Sequence, residues 1–143
     1  ALPISFLAMK EALQEANLNP KDIDYVNAHG TGTPNNDESE TNALKRIFGQ
    51  ELPPISSTKS STGHTTSASG VIEAIICLLA LENQFLPANL NWENIMEGGF
   101  VPVLDTKTSR YIKHTLCNSF GFGGNDSSLV ISKNESLSEE KIK

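Results

Sequence analysis

Three side chains able to hold or pass a proton stand close to apolar runs in this chain: His29, Lys59 and His64. His29 follows a short apolar run in YVNAHGTGTP. Lys59 and His64 share the stretch Ser56 to Gly70, SSTKSSTGHTTSASG, which is nearly free of apolar residues. Immediately after it comes Val71 to Leu81, VIEAIICLLAL, apolar except for Glu73. A neutral imidazole offers one N–H donor and one acceptor, and an ammonium offers a fixed positive charge. The pattern therefore predicts a polar, flexible loop feeding a buried helix, with titratable groups held in a dry pocket. Two histidines beside two apolar segments point to one shared site. A zinc site built from His29, His64 and Asp37 is the first rival, but their spacing matches no compact metal motif. Gly121, Gly123 and Gly124 hint at phosphate binding; lying between two strands, they open no helix, which weakens that reading. Cys117, within a strand and before Asn118, reads as packing rather than as a nucleophile.

The elements that must position these groups follow from periodicity. Ser5 to Ala16 is an amphipathic helix with Phe6, Met9, Leu13 and Ala16 on one face, ended by the turn at Asn19-Pro20. Ile23 to Ala28 is a short strand with His29-Gly30 at its carboxyl end. Asp37 to Phe48 is a second helix: Asp37, Glu38 and Glu40 in its first turn and Lys45 and Arg46 in its last suit the macrodipole, and Gly49 suits the C′ position. Ala43, Leu44, Ile47 and Phe48 form its inward stripe. A second strand is expected near Ile55 to Thr58, then the polar loop and the long helix to about Asn83. Residues Gln84 to Arg110 read as an irregular covering loop anchored by Trp92 and Phe100. Thr115 to Ser119 and Ser127 to Ser132 read as an antiparallel hairpin around FGFGGND. The fold class is α/β, a mixed sheet with helices packed on it and a closing β-hairpin. In such sheets sites gather at the carboxyl ends of strands, where His29, the Lys59–His64 loop and the loop from Phe120 to Gly124 would meet. Residues 1–133 are expected to form one domain and 134–143 a charged, frayed tail.

Composition bounds the function. The 143 residues suffice for one domain with a core, and 38% hydrophobic content is modest because the loops and tail are polar. No apolar run reaches the roughly 18 residues of a membrane span, so no membrane role is expected. No secretory signal opens the chain, and a start at Ala1 rather than Met suggests a fragment. Cys77 and Cys117 make no disulfide framework, which suits a reducing cytoplasm. A net charge of −6 argues against broad nucleic-acid binding.

Three segments in this order, NAHGTGTP, STKSSTGH and LCNSFGFGG, resemble the C-terminal half of the β-ketoacyl-acyl carrier protein synthases, the condensing enzymes of fatty acid and polyketide synthesis. The resemblance spans about Ser5 to Lys133. It implies a thiolase-like fold of two similar α/β halves with the active site between them. The nucleophilic Cys belongs to the N-terminal half, and nothing here matches its motif. The implied activity is decarboxylative Claisen condensation of malonyl-carrier protein with an acyl-enzyme thioester. The implied catalytic residues are His29 and His64, which would hold the enolate, Lys59 and Glu73, which would orient His64, and Phe122, the gate. Glu73, isolated in an apolar helix, needs a cation or hydrogen-bond partner such as Lys59. Thr31 and Thr33 would bind the phosphopantetheine arm, and Phe120 and Gly123 would also bind substrate. No metal or organic cofactor is implied beyond that arm. The implied partners are acyl carrier protein, the N-terminal half and a second subunit in a homodimer or heterodimer. Cut from its other half, such a chain would be inactive and would expose the face that half covers.

Departures from the family pattern fall at Asn36, at Ser67 and at Asn125-Asp126, which adds a carboxylate near the gate. They bear on substrate range rather than fold. Two rivals remain. A degradative thiolase would be expected to carry a Cys in the last Gly-rich motif, where FGFGG has none. A non-catalytic chain-length-factor-type partner subunit is disfavoured by the retention of His29, His64 and Lys59.

Overall fold

The computed structural model describes residues 4–106, 110–121 and 123–134. The expected gate residue Phe122 and tail residues 135–143 lie outside the described residues. Helix α1 (Ile4–Glu15) is followed by a short 3-10 turn (Pro20–Asp22) and strand β1 (Tyr25–Asn27). Next come α2 (Pro34–Phe48), β2 (Ile55–Ser56), a single turn of helix α3 (Lys59–Thr62) and a 3-10 turn (Thr66–Ala68). Helix α4 (Ser69–Asn83) and strands β3 (His114–Phe120) and β4 (Asp126–Ser132) complete the elements among the described residues.

The strands form one sheet in the order β2-β1-β3-β4. β1 runs parallel to β2 and β3, and β3 runs antiparallel to β4 from His114↔Ser132 to Phe120↔Asp126. The mixed sheet and closing hairpin are those expected from the sequence. Side chains alternate across the sheet, so neighbouring residues serve different layers. Val26 and Leu116 join Met9 and Leu13 of α1 and Ala43 and Leu44 of α2 in one core. Tyr25 and Cys117 face the other way and pack with Cys77 and Leu81 of α4. The result is a sheet between α1/α2 on one face and α4 on the other.

Several boundaries move. α2 begins at Pro34 rather than Asp37, with Thr33 at the N-cap. Proline's fixed φ suits the first helical turn, where its missing N–H removes no bond. β1 and β2 are shorter than expected, because the chain turns away at His29 and again after Ser57. The polar stretch after β2 is not a free loop: Lys59 begins α3, and Gly63 N closes that turn on Lys59 O at 2.9 Å. The covering loop is fastened to the same place, since Asn89 Oδ1 accepts from Ser57 N and Leu90 N donates to Ser60 Oγ, both at 2.9 Å. Of its expected anchors, Phe100 packs against the first core and Trp92 is half-buried.

The largest correction concerns α4. Its run Val71 to Leu81 is not buried all round. Ser69, Glu73, Cys77, Ala80 and Leu81 face the sheet, but Val71 is 65% exposed, Ile75 50%, Leu78 52% and Leu79 45%. An α-helix at a sheet surface presents only one stripe to it, and these residues point away from that stripe. Among the described residues, nothing covers the outer face. By length and mean hydropathy (1.3), Thr66–Asn83 equals a membrane-spanning helix, yet its inward Glu73 is ion-paired and its inner face is packed on the sheet.

Candidate active site

β1 ends beside β2 and β3, and the chain leaves each strand carrying a polar group. His29 follows β1, is 5% exposed and lines a crevice of about 1440 Å³. His64, two residues past α3, lines the same crevice from its exposed side. The two imidazoles meet edge to face, with ring centroids 5.6 Å apart and planes at 90°. The two histidines that the sequence places beside separate apolar segments thus share one crevice. The expectation of a dry pocket does not hold for His64, because the crevice is open over it.

Lys59 is buried, and its ammonium pairs with the Glu73 carboxylate. The same ammonium lies 3.3 Å from His29 Nδ1. The pair was expected to orient His64; the imidazole its ammonium touches is that of His29. The reason is positional: Lys59 opens α3 with its ammonium against His29 at the end of β1, while the Nδ1 of His64, two residues past α3, is taken by its own turn. His64 is held by its own turn. Its Nδ1 lies 3.1 Å from Thr66 N, which donates to it, and 3.1 Å from Ser69 Oγ.

These partners fix where each ring carries its proton. An ammonium and a backbone N–H can only donate, so both Nδ1 atoms accept. In the neutral form of either ring the hydrogen then sits on Nε2, free to donate. His29 stays neutral well below neutrality, its pKa lowered to about 4 by burial, by the Lys59 charge and by His64. Burial pushes the Glu73 carboxyl above its ordinary 4.5, with Lys59 pulling it back.

A second carboxylate was missed as a site residue. Glu40, read from the sequence as part of an acidic, dipole-matching helix turn, is 3% exposed. Its Oε1 accepts from His29 N at 2.9 Å and from Asn118 Nδ2 at 3.1 Å, and its Oε2 from Gly30 N at 2.9 Å. Burial raises its pKa, opposed by the N–H groups of Gly30 and His29. One signal was available: Glu40 lies four residues before Leu44, on the inward stripe of α2, where a carboxylate needs partners. Gly30 itself is required, since it sits at φ +42 and a Cβ there would lie 2.5 Å from Ser57 Cβ.

The remaining candidates divide. Thr31 and Thr33 line the crevice, their hydroxyls 3.0 Å apart. Phe120 lines it too, its ring centroid 5.8 Å from that of His29. Gly123 is exposed and lies outside the crevice wall. Asp37 accepts from Gly32 N and Asn36 Nδ2, both at 3.2 Å, and so braces the turn after His29. Among the described residues, no group of three or more His, Cys, Asp or Glu side chains could hold a metal ion. Cys117 is 2% exposed, and the neighbouring Cys77 thiol together with burial pushes its thiol up, which marks an inert, packed cysteine. Asp126 lines the crevice, and burial raises its carboxyl, opposed by the Gly121 N–H.

Comparison with known proteins agrees with this geometry. Residues 4–93 match the family described as beta-ketoacyl synthase, C-terminal domain. The 3-oxoacyl-[acyl-carrier-protein] synthase 2 of Vibrio harveyi is 42% identical over 132 residues, covering 89% of this chain and 32% of that protein. A crystal structure of a beta-ketoacyl synthase from Burkholderia phymatum STM815 superposes with a TM-score of 0.86 at 31% identity, covering 94% of this chain and 33% of that one. A type II polyketide ketosynthase bound to the hexaketide, in complex with its acyl-carrier protein, superposes at 0.80 with 32% identity, covering 94% of this chain and 35% of that one. The chain thus spans about a third of the length of the relatives it matches, and the expected thiolase-like fold is the one observed. With three motifs, a superposable fold and a matching family in agreement, the chain belongs to the C-terminal domain family of the β-ketoacyl synthases.

Proposed function

We propose that this chain is the C-terminal half of a 3-oxoacyl-acyl carrier protein synthase, supplying the decarboxylation side of the site while an N-terminal half supplies the nucleophilic Cys. The observation that carries this is the histidine pair: two rings with centroids 5.6 Å apart, each with Nδ1 already engaged by a donor and Nε2 left for the substrate. Malonyl-carrier protein enters with its phosphopantetheine arm along Thr31 and Thr33. Its C–C bond to the carboxylate breaks, CO₂ leaves, and the electron pair moves onto the thioester oxygen as an enolate. Two N–H donors aimed at that oxygen stabilise it; losing one donor of this kind costs roughly 3–4 kcal/mol. The enolate carbon then attacks the acyl thioester on the Cys of the other half, and the Cys leaves as thiolate. Burial and the Lys59 charge keep His29 neutral, Glu73 holds that ammonium in place, and Glu40 holds the backbone on which His29 stands.

The open face of α4 supports the two-half arrangement. Val71, Ile75 and Leu78 line the crevice on the side where a second half would close it. The acyl carrier protein follows as a partner, in line with the ketosynthase solved with its carrier. We assign the substrates as acyl and malonyl thioesters in a reducing cytoplasm, with no cofactor beyond the phosphopantetheine arm. The test is release of CO₂ from malonyl-carrier protein by the full-length synthase, wild type against His29→Ala and His64→Ala. Loss of more than about 100-fold in each variant is expected. Decarboxylation within twofold of wild type in either would reject the reading.

A further inference from the structure

Ser69 has more bonds than a helix-starting serine requires. It is the first residue of α4 and only 4% exposed. Its hydroxyl accepts from Thr65 N at 3.1 Å, touches Thr65 Oγ1 at 3.3 Å and lies 3.1 Å from His64 Nδ1. A hydroxyl has one hydrogen and two acceptor lone pairs. Thr65 N–H takes one lone pair, Thr65 O–H can take the other, and the single hydrogen is left for His64 Nδ1. The turn it braces is strained: Thr66, a β-branched residue, sits at φ +52. Such a conformation persists only when its surroundings hold it. Here it aims the Thr66 N–H at the same Nδ1.

We propose that Ser69 is a positioning residue of the decarboxylation site, which donates a second hydrogen bond to His64 Nδ1 and pins the turn that supplies the first. This rests on the function proposed above. Both donors share the one lone pair of Nδ1 in a three-centre bond, so together they exclude the tautomer with hydrogen on Nδ1 and keep Nε2–H facing the crevice. Without Ser69, Thr65 N loses its acceptor, the Thr65–Thr66 turn relaxes, and the ring is free to turn or exchange its hydrogen between nitrogens.

The test uses the full-length synthase labelled with ¹⁵N-histidine. Long-range ¹H–¹⁵N spectra report which ring nitrogen of His64 bears hydrogen. In the wild type this is Nε2. Ser69→Ala should give a mixed tautomer and a fall in kcat for malonyl decarboxylation of roughly 3- to 10-fold, with KM little changed. Ser69→Thr keeps the hydroxyl and should restore both. Should the Ala variant fold poorly, Ser69→Cys, of similar size and with a weaker donor, should show the same direction of change. A His64 that stays fully Nε2–H without the hydroxyl overturns the proposal. If the wild-type synthase releases no CO₂, the proposed function fails while the tautomer spectrum still judges Ser69.

Discussion

Replacing Lys59 with Met in the full-length synthase separates structural from catalytic roles at the centre of the site. Lys59 is 9% exposed and Glu73 1%, and the two form an ion pair. Removing one partner of such a pair leaves the other charge buried and uncompensated, at about 3–5 kcal/mol. The cost has a defined pH sign. Glu73 is already pushed above 4.5 by burial, with Lys59 holding it down. Without Lys59 its folded pKa rises further above the unfolded value. The resulting stabilisation is fully present below the unfolded pKa and is lost as pH rises through the folded one. Urea titrations should therefore show a stability deficit that widens as pH rises above the ordinary carboxylate range. The double variant Lys59→Met/Glu73→Leu removes both charges, and its deficit should shrink to about 1 kcal/mol or less. Decarboxylation should stay depressed in both variants, because His29 Nδ1 has lost its donor. Its acid limb should also move to higher pH, since one of the forces holding His29 at about 4 has gone. A single variant as stable as wild type, or a double variant as unstable as the single, would refute the reasoning.

Two further outcomes follow from packing. Gly30→Ala places a Cβ 2.5 Å from Ser57 Cβ at a backbone φ of +42; it should lose about 1–3 kcal/mol by urea titration and abolish CO₂ release, and an unperturbed variant would show the turn to be looser than described. Leu78→Asp lies on the open face of α4, where Leu78 is 52% exposed. In the isolated 143-residue chain it should change stability by no more than about 0.5 kcal/mol while reducing self-association in sedimentation runs; a wild-type chain that is monomeric at every concentration would sink this reading of the face.

The main helices, the mixed sheet and the hairpin were legible in the sequence because they rest on local signals, periodicity and turn chemistry, and polar groups at strand ends pointed to His29 and His64. The sequence also singled out Glu73 as a carboxylate in need of a partner. Tertiary structure alone decided which histidine Lys59 serves, since Lys59 and His64 are neighbours in sequence but α3 turns the ammonium toward His29. It decided that Glu40 is buried: an acidic residue in the first turns of a helix satisfies the dipole equally well facing water or facing two backbone N–H groups. And it decided that α4 covers the sheet with one face only, because an apolar run states how much surface seeks cover, whereas which side finds it depends on what the rest of the chain places there.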